Sequence, residues 1–246
     1  VLYTWGRDVN GCLGHGPEAM GDGAWEPGKR SRRLPSAVKA FLFSDHSQPL
    51  SASSASTTAP ASTGVADSTI RGVLNIVRVA IKQVSCGCEH TLCVDREGGV
   101  WSWGCGAYGA LGHGDTTTLR APKKIARLSS SLQVRMAAAG AKHSVAITQK
   151  DGYMYTWGHG DKGRLGNNSE IGTLVPIRIE RMVSGTTARR GGRIDDVMFV
   201  HISAGEAHSA AVTTTGHVYT WGVGSHGRLG HDSVLDEPMP RVVASI

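Results

Sequence analysis

No stretch of the 246-residue chain approaches the ~20 consecutive apolar residues of a membrane-spanning helix. Its most apolar run, Val73 to Val84, is broken by Arg78 and Lys82, so no membrane association is expected. The five cysteines are Cys12, Cys86, Cys88, Cys93 and Cys105, with one close cluster and no second pair. A structural zinc needs four converging ligands, so none is expected. Thiols without a paired framework fit a reducing, intracellular compartment, cytoplasmic or nuclear. A phosphate-cradling G-x-x-x-x-G-K-[ST] loop is also missing. So is any single grouping of nucleophile, base and orienting partner. No catalytic residue, cofactor or metal is therefore expected.

What is present in excess is glycine, and it is periodic. The 33 glycines are roughly twice the usual share. Trp5-Gly6, Trp103-Gly104, Trp157-Gly158 and Trp221-Gly222 are each followed, eight residues after the Trp, by Leu13-Gly14, Leu111-Gly112, Leu165-Gly166 and Leu229-Gly230. Another glycine lies two residues before each Leu, at Gly11, Gly109, Gly163 and Gly227. Eleven residues after the Leu comes Pro122, Pro176 or Pro240, with Pro35 delayed in the first copy. Upstream of three Trp residues stands Gly-x-x-His: Gly87 to His90, Gly140 to His143, and Gly205 to His208. A fixed pattern of this kind means one structural unit stacked on itself.

Each unit reads as antiparallel strands. Tyr3/Trp5, Trp101/Trp103, Tyr155/Trp157 and Tyr219/Trp221 repeat an aromatic i, i+2 pair, which places both rings on one face of a strand. The preceding strand, such as Ser209 to Thr213, is joined by a short turn carrying Gly98-Gly99, Asp151-Gly152 or Thr215-Gly216. A third, earlier strand carries Ile81/Val84, Val134/Ala137 and Phe199/Ile202 at matched places. A four-stranded sheet of this kind cannot bury both faces alone and must stack around an axis, as a β-propeller blade does.

The succession Gly-x-x-His, Tyr-x-Trp-Gly, Gly-x-Leu-Gly and Pro resembles the repeat of the regulator of chromosome condensation family. It covers nearly all of the chain outside three insertions. The resemblance implies an all-β propeller of four-stranded antiparallel blades, of a type that generally closes seven blades. A WD-repeat propeller is the competitor, but Trp is followed here by Gly and never by Asp. One propeller segment is expected over 1–246, with units at about 1–43, 73–128, 129–182 and 183–246. The chain starts midway through a unit at Val1 and stops at Ile246 where another Gly-x-x-His segment is due. It therefore reads as about three and a half repeats of a longer protein whose remaining blades close the ring.

The first insertion lies between Gly14 and Pro35 and carries Lys29, Arg30, Arg32 and Arg33. The second, 44–72, includes the Ser/Ala/Thr-rich run from Ser51 to Gly64; it has no apolar period and is expected to be a disordered loop. The third, about Val183 to Asp196, holds Arg189, Arg190 and Arg193. Loops on a rigid scaffold are where such a fold carries function. With a net charge of +6, these two basic loops are candidate surfaces for an acidic protein, chromatin or nucleic acid. The bland alternative is a solvated loop that keeps the protein soluble.

Repetition deflates several other candidates. Cys86 and Cys93 align with alanines, at Ala139/Ala204 and Ala146/Ala211, and read as small buried residues. Gly158, Gly160 and Gly163 form a G-x-G-x-x-G, but the aligned Gly104/Gly106/Gly109 and Gly222/Gly224/Gly227 make it a blade turn. Histidines recurring in every unit, His90, His143 and His208 among them, are expected to bond local backbone. The leading expectation is thus a non-catalytic protein-interaction scaffold, the role that the resemblance implies for many relatives. The resemblance also implies an alternative, guanine-nucleotide exchange on a Ran-type small GTPase. The matching GTPase-facing positions are Glu89 and His90, Lys142 and His143, and Glu206 and His208. Lys142 puts a positive charge where an acid suits that role.

Overall fold

Alternating apolar residues, punctuated by glycine turns, fold each repeat into a meander whose third strand carries the Trp. The computed structural model describes residues 3–7, 31–37, 42–43, 77–128, 131–184, 189–193, 197–244 and 246. Within these, 3–7, 31–37, 42–43, 77–78, 184 and 189–193 are described by their backbone alone. Strands β1 (Tyr3–Arg7) and β2 (Ser31–Ala37) form an antiparallel pair. Strands β3 (Leu42–Phe43) and β4 (Val77–Arg78) form another, bringing the two ends of the long insertion together. The first full blade is β5 (Ile81–Cys86), β6 (His90–Asp95), β7 (Val100–Gly104) and β8 (Leu119–Lys124), hydrogen-bonded in that order. The second is β9 (Val134–Ala139), β10 (His143–Thr148), β11 (Met154–Gly158) and β12 (Thr173–Arg178). After these come β13 (Arg181–Ser184) and β14 (Arg189–Arg193), and then the third blade, β15 (Phe199–Ala204), β16 (His208–Thr213), β17 (Val218–Gly222) and β18 (Glu237–Val242). The register repeats: His90 lies opposite Gly104, His143 opposite Gly158, and His208 opposite Gly222.

The two faces of each blade have opposite jobs. On the first blade Leu92, Val94 and Val100 face forward, into a core shared with Val134, Ala137, Ala139, Ala146 and Trp157 of the second. Val145, Ile147 and Met154 of the second blade face forward in turn, onto Phe199, Ile202, Ala211 and Trp221 of the third. Large aliphatic side chains therefore meet a small residue and an indole from the next sheet. Each fully buried Trp removes about 150–250 Å² from water, on the order of 4–6 kcal/mol of gross transfer energy.

The spacing from Trp-Gly to Leu-Gly now has a physical cause. Gly112 lies against the indole of Trp157 and Gly166 against that of Trp221, so a Cβ at either site would collide with the ring of the following blade. The indole N–H of Trp157 donates to the Ala110 carbonyl at 2.8 Å, and that of Trp221 to the Arg164 carbonyl at 3.1 Å. The Leu-Gly step of one blade is the socket for the Trp of the next.

Three expectations need correction. The third insertion is a β-hairpin where it is described: β13 and β14 pair antiparallel, and Val183 joins β18 in parallel opposite Arg241. The third sheet therefore has six strands rather than four, in the order β14-β13-β18-β17-β16-β15. Arg189, Arg190 and Arg193 consequently lie on an edge strand rather than a loop. Likewise Arg32 and Arg33 lie on β2, with Arg32 opposite Gly6; Lys29, Arg30 and the 44–72 insertion fall outside the described residues. Cys86 is exposed, whereas its counterpart Ala139 is covered by the first blade. No described residue covers Cys86. Cys93 is buried as expected, and burial pushes its thiol pKa up, which makes it inert.

One blade lacks a bond that its neighbours have. Ser102 donates to the Leu111 carbonyl at 2.7 Å and pairs with His113 Nε2 at 2.9 Å. Thr220 does the same with the Leu229 carbonyl at 2.6 Å and His231 at 3.0 Å. In the second blade Asn167 replaces the histidine, and the Thr156 hydroxyl and Asn167 Oδ1 are both buried without a partner. Asn167→His is expected to raise stability by about 0.5–1.5 kcal/mol. Urea denaturation checks it; an unchanged or lower midpoint contradicts the pairing.

Candidate partner-binding face

The Gly-x-x-His loops are built by the ring they contain. In each, the glycine N–H donates to the histidine carbonyl, at 2.8, 2.8 and 2.9 Å for Gly87, Gly140 and Gly205. The imidazole folds back over the glycine, where a Cβ would strike it. Only glycine fits beneath the ring. His90 Nε2 then reaches Ser144 Oγ of the second blade at 2.9 Å, and His143 Nε2 reaches Ser209 Oγ of the third at 2.9 Å. Ser144 passes its own proton to the Ala110 carbonyl at 2.8 Å, the same oxygen that accepts from Trp157. The serine is therefore an acceptor toward the histidine, which fixes His90 as the neutral Nε2–H form. His143 follows the same pattern through Ser209, whose hydroxyl lies 3.4 Å from the Arg164 carbonyl.

These histidines join blade to blade; they do not bond local backbone as the sequence suggested. His90 and His143 are buried, so their rings do not face solvent at the positions matched to a GTPase contact. Burial lowers the His90 pKa to about 4. His143 falls to about 3, first through burial and then through the nearby Arg164 and neighbouring histidines. Its Nδ1 has no hydrogen-bond partner, so a second proton would find no acceptor. His208 is half-buried and His113 is lowered to about 4 by burial and Lys123.

Glu89, Lys142 and Glu206, the other matched positions, are exposed at the tips of the same loops. The glycine after each Trp brings a second loop beside the first. Cys105, His159 and Val223 donate their N–H to the carbonyls of Glu89, Lys142 and Ala207 at 2.7, 2.9 and 2.9 Å. The chain then makes a 3-10 turn at Ala107–Gly109, Asp161–Gly163 and Ser225–Gly227. In each turn the middle residue, Tyr108, Lys162 or His226, has φ of 61°. Non-glycine residues adopt that conformation only when their surroundings impose it. The G-x-G-x-x-G of Gly158, Gly160 and Gly163 is this turn and no nucleotide cradle.

A third loop completes the face. Asp115 Oδ1, Ser169 Oγ and Ser233 Oγ accept the N–H of Thr117, Ile171 and Leu235 at 2.9, 3.0 and 3.1 Å. These short side-chain turns lift residue 117, 171 or 235 to an apex. The apex backbone lies against Gly106, Gly160 or Gly224 of the adjoining turn. Ile171 is 78% and Leu235 76% exposed. Charge here is mixed: Lys162 pairs with Asp236 at 3.7 Å, and His159 Nε2 lies 3.3 Å from Asp161. Neither Tyr108 nor Ile171 was singled out from the sequence. Repeat alignment marks the invariant positions, whereas these five-after-Trp and six-after-Leu sites differ between copies.

The family profile described as the Regulator of chromosome condensation (RCC1) repeat matches residues 97–147, 151–212 and 215–246, and a second profile of the same repeat matches 81–110, 137–164 and 199–228. The chain belongs to the RCC1-repeat family. It is 36% identical over 168 residues to the ultraviolet-B receptor UVR8 of Arabidopsis thaliana, covering 68% of this chain and 35% of that protein. Against the human E3 ubiquitin-protein ligase HERC2 it is 32% identical over 166 residues, 68% of this chain and 3% of the ligase. The chain thus spans about a third or less of these relatives' own length. Human WBSCR16 superposes with a TM-score of 0.57 at 27% identity, covering 68% of this chain and 40% of that one. Prp20p of Saccharomyces cerevisiae, at TM-score 0.61 and 22% identity, covers 98% of this chain and 46% of its own and shows the shared fold. Among the described residues no histidine, cysteine or carboxylate cluster is arranged to hold a metal, and no helix is long and apolar enough to cross a membrane.

The buried histidines make RCC1-blade stability sensitive to acid. The unfolded chain takes up protons near 6.5, while folded His90 and His143 do so only near 4 and 3. Stability is therefore fully present above about pH 6.5 and falls as the pH drops toward 4 and below. The urea midpoint should drop across that window, and the drop should shrink in a His90→Gln/His143→Gln variant. An equally steep drop in the variant contradicts the assignment.

Proposed function

We propose that this RCC1-repeat chain is a non-catalytic protein-interaction scaffold that binds a partner through the face built by its three loop types. The observation that carries the reading is the display itself. Stiff turns, locked by backbone bonds at Tyr108 and by the Ser169 and Ser233 hydroxyls elsewhere, hold Tyr108, Ile171, Val234 and Leu235 out to solvent. Isolated exposed apolar residues need no explanation, but several raised at matched places on one face suit a recognition surface. Similarity to a light receptor and to ubiquitin ligases agrees with a module used inside larger proteins. The free thiols of Cys86, Cys88, Cys93 and Cys105 support an intracellular setting for it.

The second reading is guanine-nucleotide exchange on a Ran-type GTPase. It is favoured by the exposed Glu89 and Glu206 at the loop tips, and by a fold shared with Prp20p, a protein with binding properties to Gsp1p and histones; Lys142, a cation where an acid suits that role, weighs against it. Exchange requires only that the propeller hold the nucleotide-free GTPase more tightly than the loaded form. His90 and His143 weigh against it, since both are committed between blades. A weaker reading is docking to chromatin or another acidic partner through Lys29, Arg30, Arg32 and Arg33, or through Arg189, Arg190 and Arg193 on the edge strand β14.

Affinity capture from native extract, compared between the chain and an Ile171→Asp/Leu235→Asp variant, tests the scaffold. A specific partner lost from the variant is expected, with GTPase nucleotide release unchanged by either protein. Accelerated release from a Ran-type GTPase would establish exchange instead. Identical captures from both proteins would remove this face as the binding surface, and charge reversal at the basic positions would then be the informative variant.

A further inference from the structure

The junction between the first and second blades holds a compact group of side chains that the fold does not use. Tyr108, 46% exposed, stands in its left-handed turn with the His159 ring tilted against it at a centroid distance of 4.3 Å. Beside it, Gly109 lies against Leu174 of the second blade, and Gly160, next to His159, lies against the backbone of Ile171. Tyr108, Ile171 and Leu174 thus stand exposed on adjoining segments of one junction, with Leu174 41% exposed. Lys142 reaches over this group from the neighbouring loop, its Nζ 5.0 Å from the Tyr108 ring centroid. Among the described residues no carboxylate forms an ion pair with Lys142; Asp161 Oδ2 lies 3.3 Å from His159 Nε2, and Asp236 pairs with Lys162.

The contact over the ring matters because it costs Lys142 much of its rotamer freedom before any partner arrives. An ammonium already positioned, and lacking a counter-ion, attracts a carboxylate without first being ordered. The exposed apolar side chains beside it offer packing area to a large side chain of the same ligand. The corresponding junction between the second and third blades keeps an exposed apolar apex at Leu235 but differs in its charged and aromatic groups. Lys162 stands where Tyr108 does, it is already paired with Asp236, and position 207, the counterpart of Lys142, is alanine.

We infer that the Tyr108–Lys142–Ile171–Leu174 junction is a docking site for a short linear segment of a partner protein, one that places an Asp or Glu side chain a few residues from a bulky apolar one. The carboxylate meets Lys142, and the apolar side chain packs between Tyr108, Ile171 and Leu174. This inference rests on the scaffold reading and narrows it to one junction and one ligand chemistry.

The probe is a displayed library of random 12-residue peptides, selected on the full chain, with hits remade as fluorescein-labelled peptides and measured by anisotropy. Enriched peptides should pair an acidic residue with Phe, Leu, Ile, Met or Trp within about four positions. Lys142→Glu and Ile171→Ser/Leu174→Ser should each weaken their binding at least tenfold, and Lys142→Glu should turn preference toward basic peptides. Lys162→Glu, at the other junction, should leave affinity within twofold. All four substituted side chains are at least partly exposed, and an unchanged thermal midpoint verifies folding. Hits lacking acidic residues, or hits whose affinity survives both variants, would overturn the junction while leaving the scaffold reading intact. An empty selection would overturn it as well, and the capture experiment would then judge the scaffold by itself.

Discussion

A single acceptor, the carbonyl that precedes each Leu-Gly step, organises the contact from blade to blade. At Ala110 it receives the Trp157 indole and the Ser144 hydroxyl, both from the next sheet. Ser144 in turn receives His90 from the first. These polar groups are buried, and leaving any one unpaired costs about 1–3 kcal/mol, so the three bonds specify how two greasy sheets meet. Hydrophobic burial supplies the larger gross energy but is indifferent to small slips. The donors and acceptors are not.

That arrangement explains why the repeat has the residues it has. Glycine before the histidine makes room for the ring, and glycine after the Leu makes room for the next indole. The first junction carries an extra fastening: the Gln83 amide exchanges two hydrogen bonds with the Ala137 backbone, each 2.8 Å. Ser85 accepts from the Ala139 N–H at 3.0 Å. At the second junction Met136 stands in place of Gln83, and apolar packing replaces the bonds. A frame so constrained can vary only where nothing packs, and those places are the turn centres and loop apices.

Much of the fold was legible because periodicity survives in sequence. The aromatic i, i+2 pairs marked the third strand of each blade, and the aligned alanines marked Cys93 as buried. The function of the histidines was not legible. His90 and Ser144 are 54 positions apart, and nothing in either local stretch announces a partner in the next unit. Arg189 to Arg193 reads as a polar loop by composition, with two glycines, yet it pairs because β13 beside it offers an open ladder. Tyr108 and Lys142 illustrate the same limit for the candidate site: each belongs to a different blade, and only the ring-like stacking brings them together.

The account stands or falls on whether the buried histidine and the serine of the next blade act as a unit. A double-mutant cycle of His143→Ala and Ser209→Ala, read by equilibrium urea unfolding at neutral pH, measures that directly. A coupling of about 0.5–3 kcal/mol is expected for partners in one buried network. Effects that add to within about 0.3 kcal/mol would contradict it and leave the blades held by apolar packing alone.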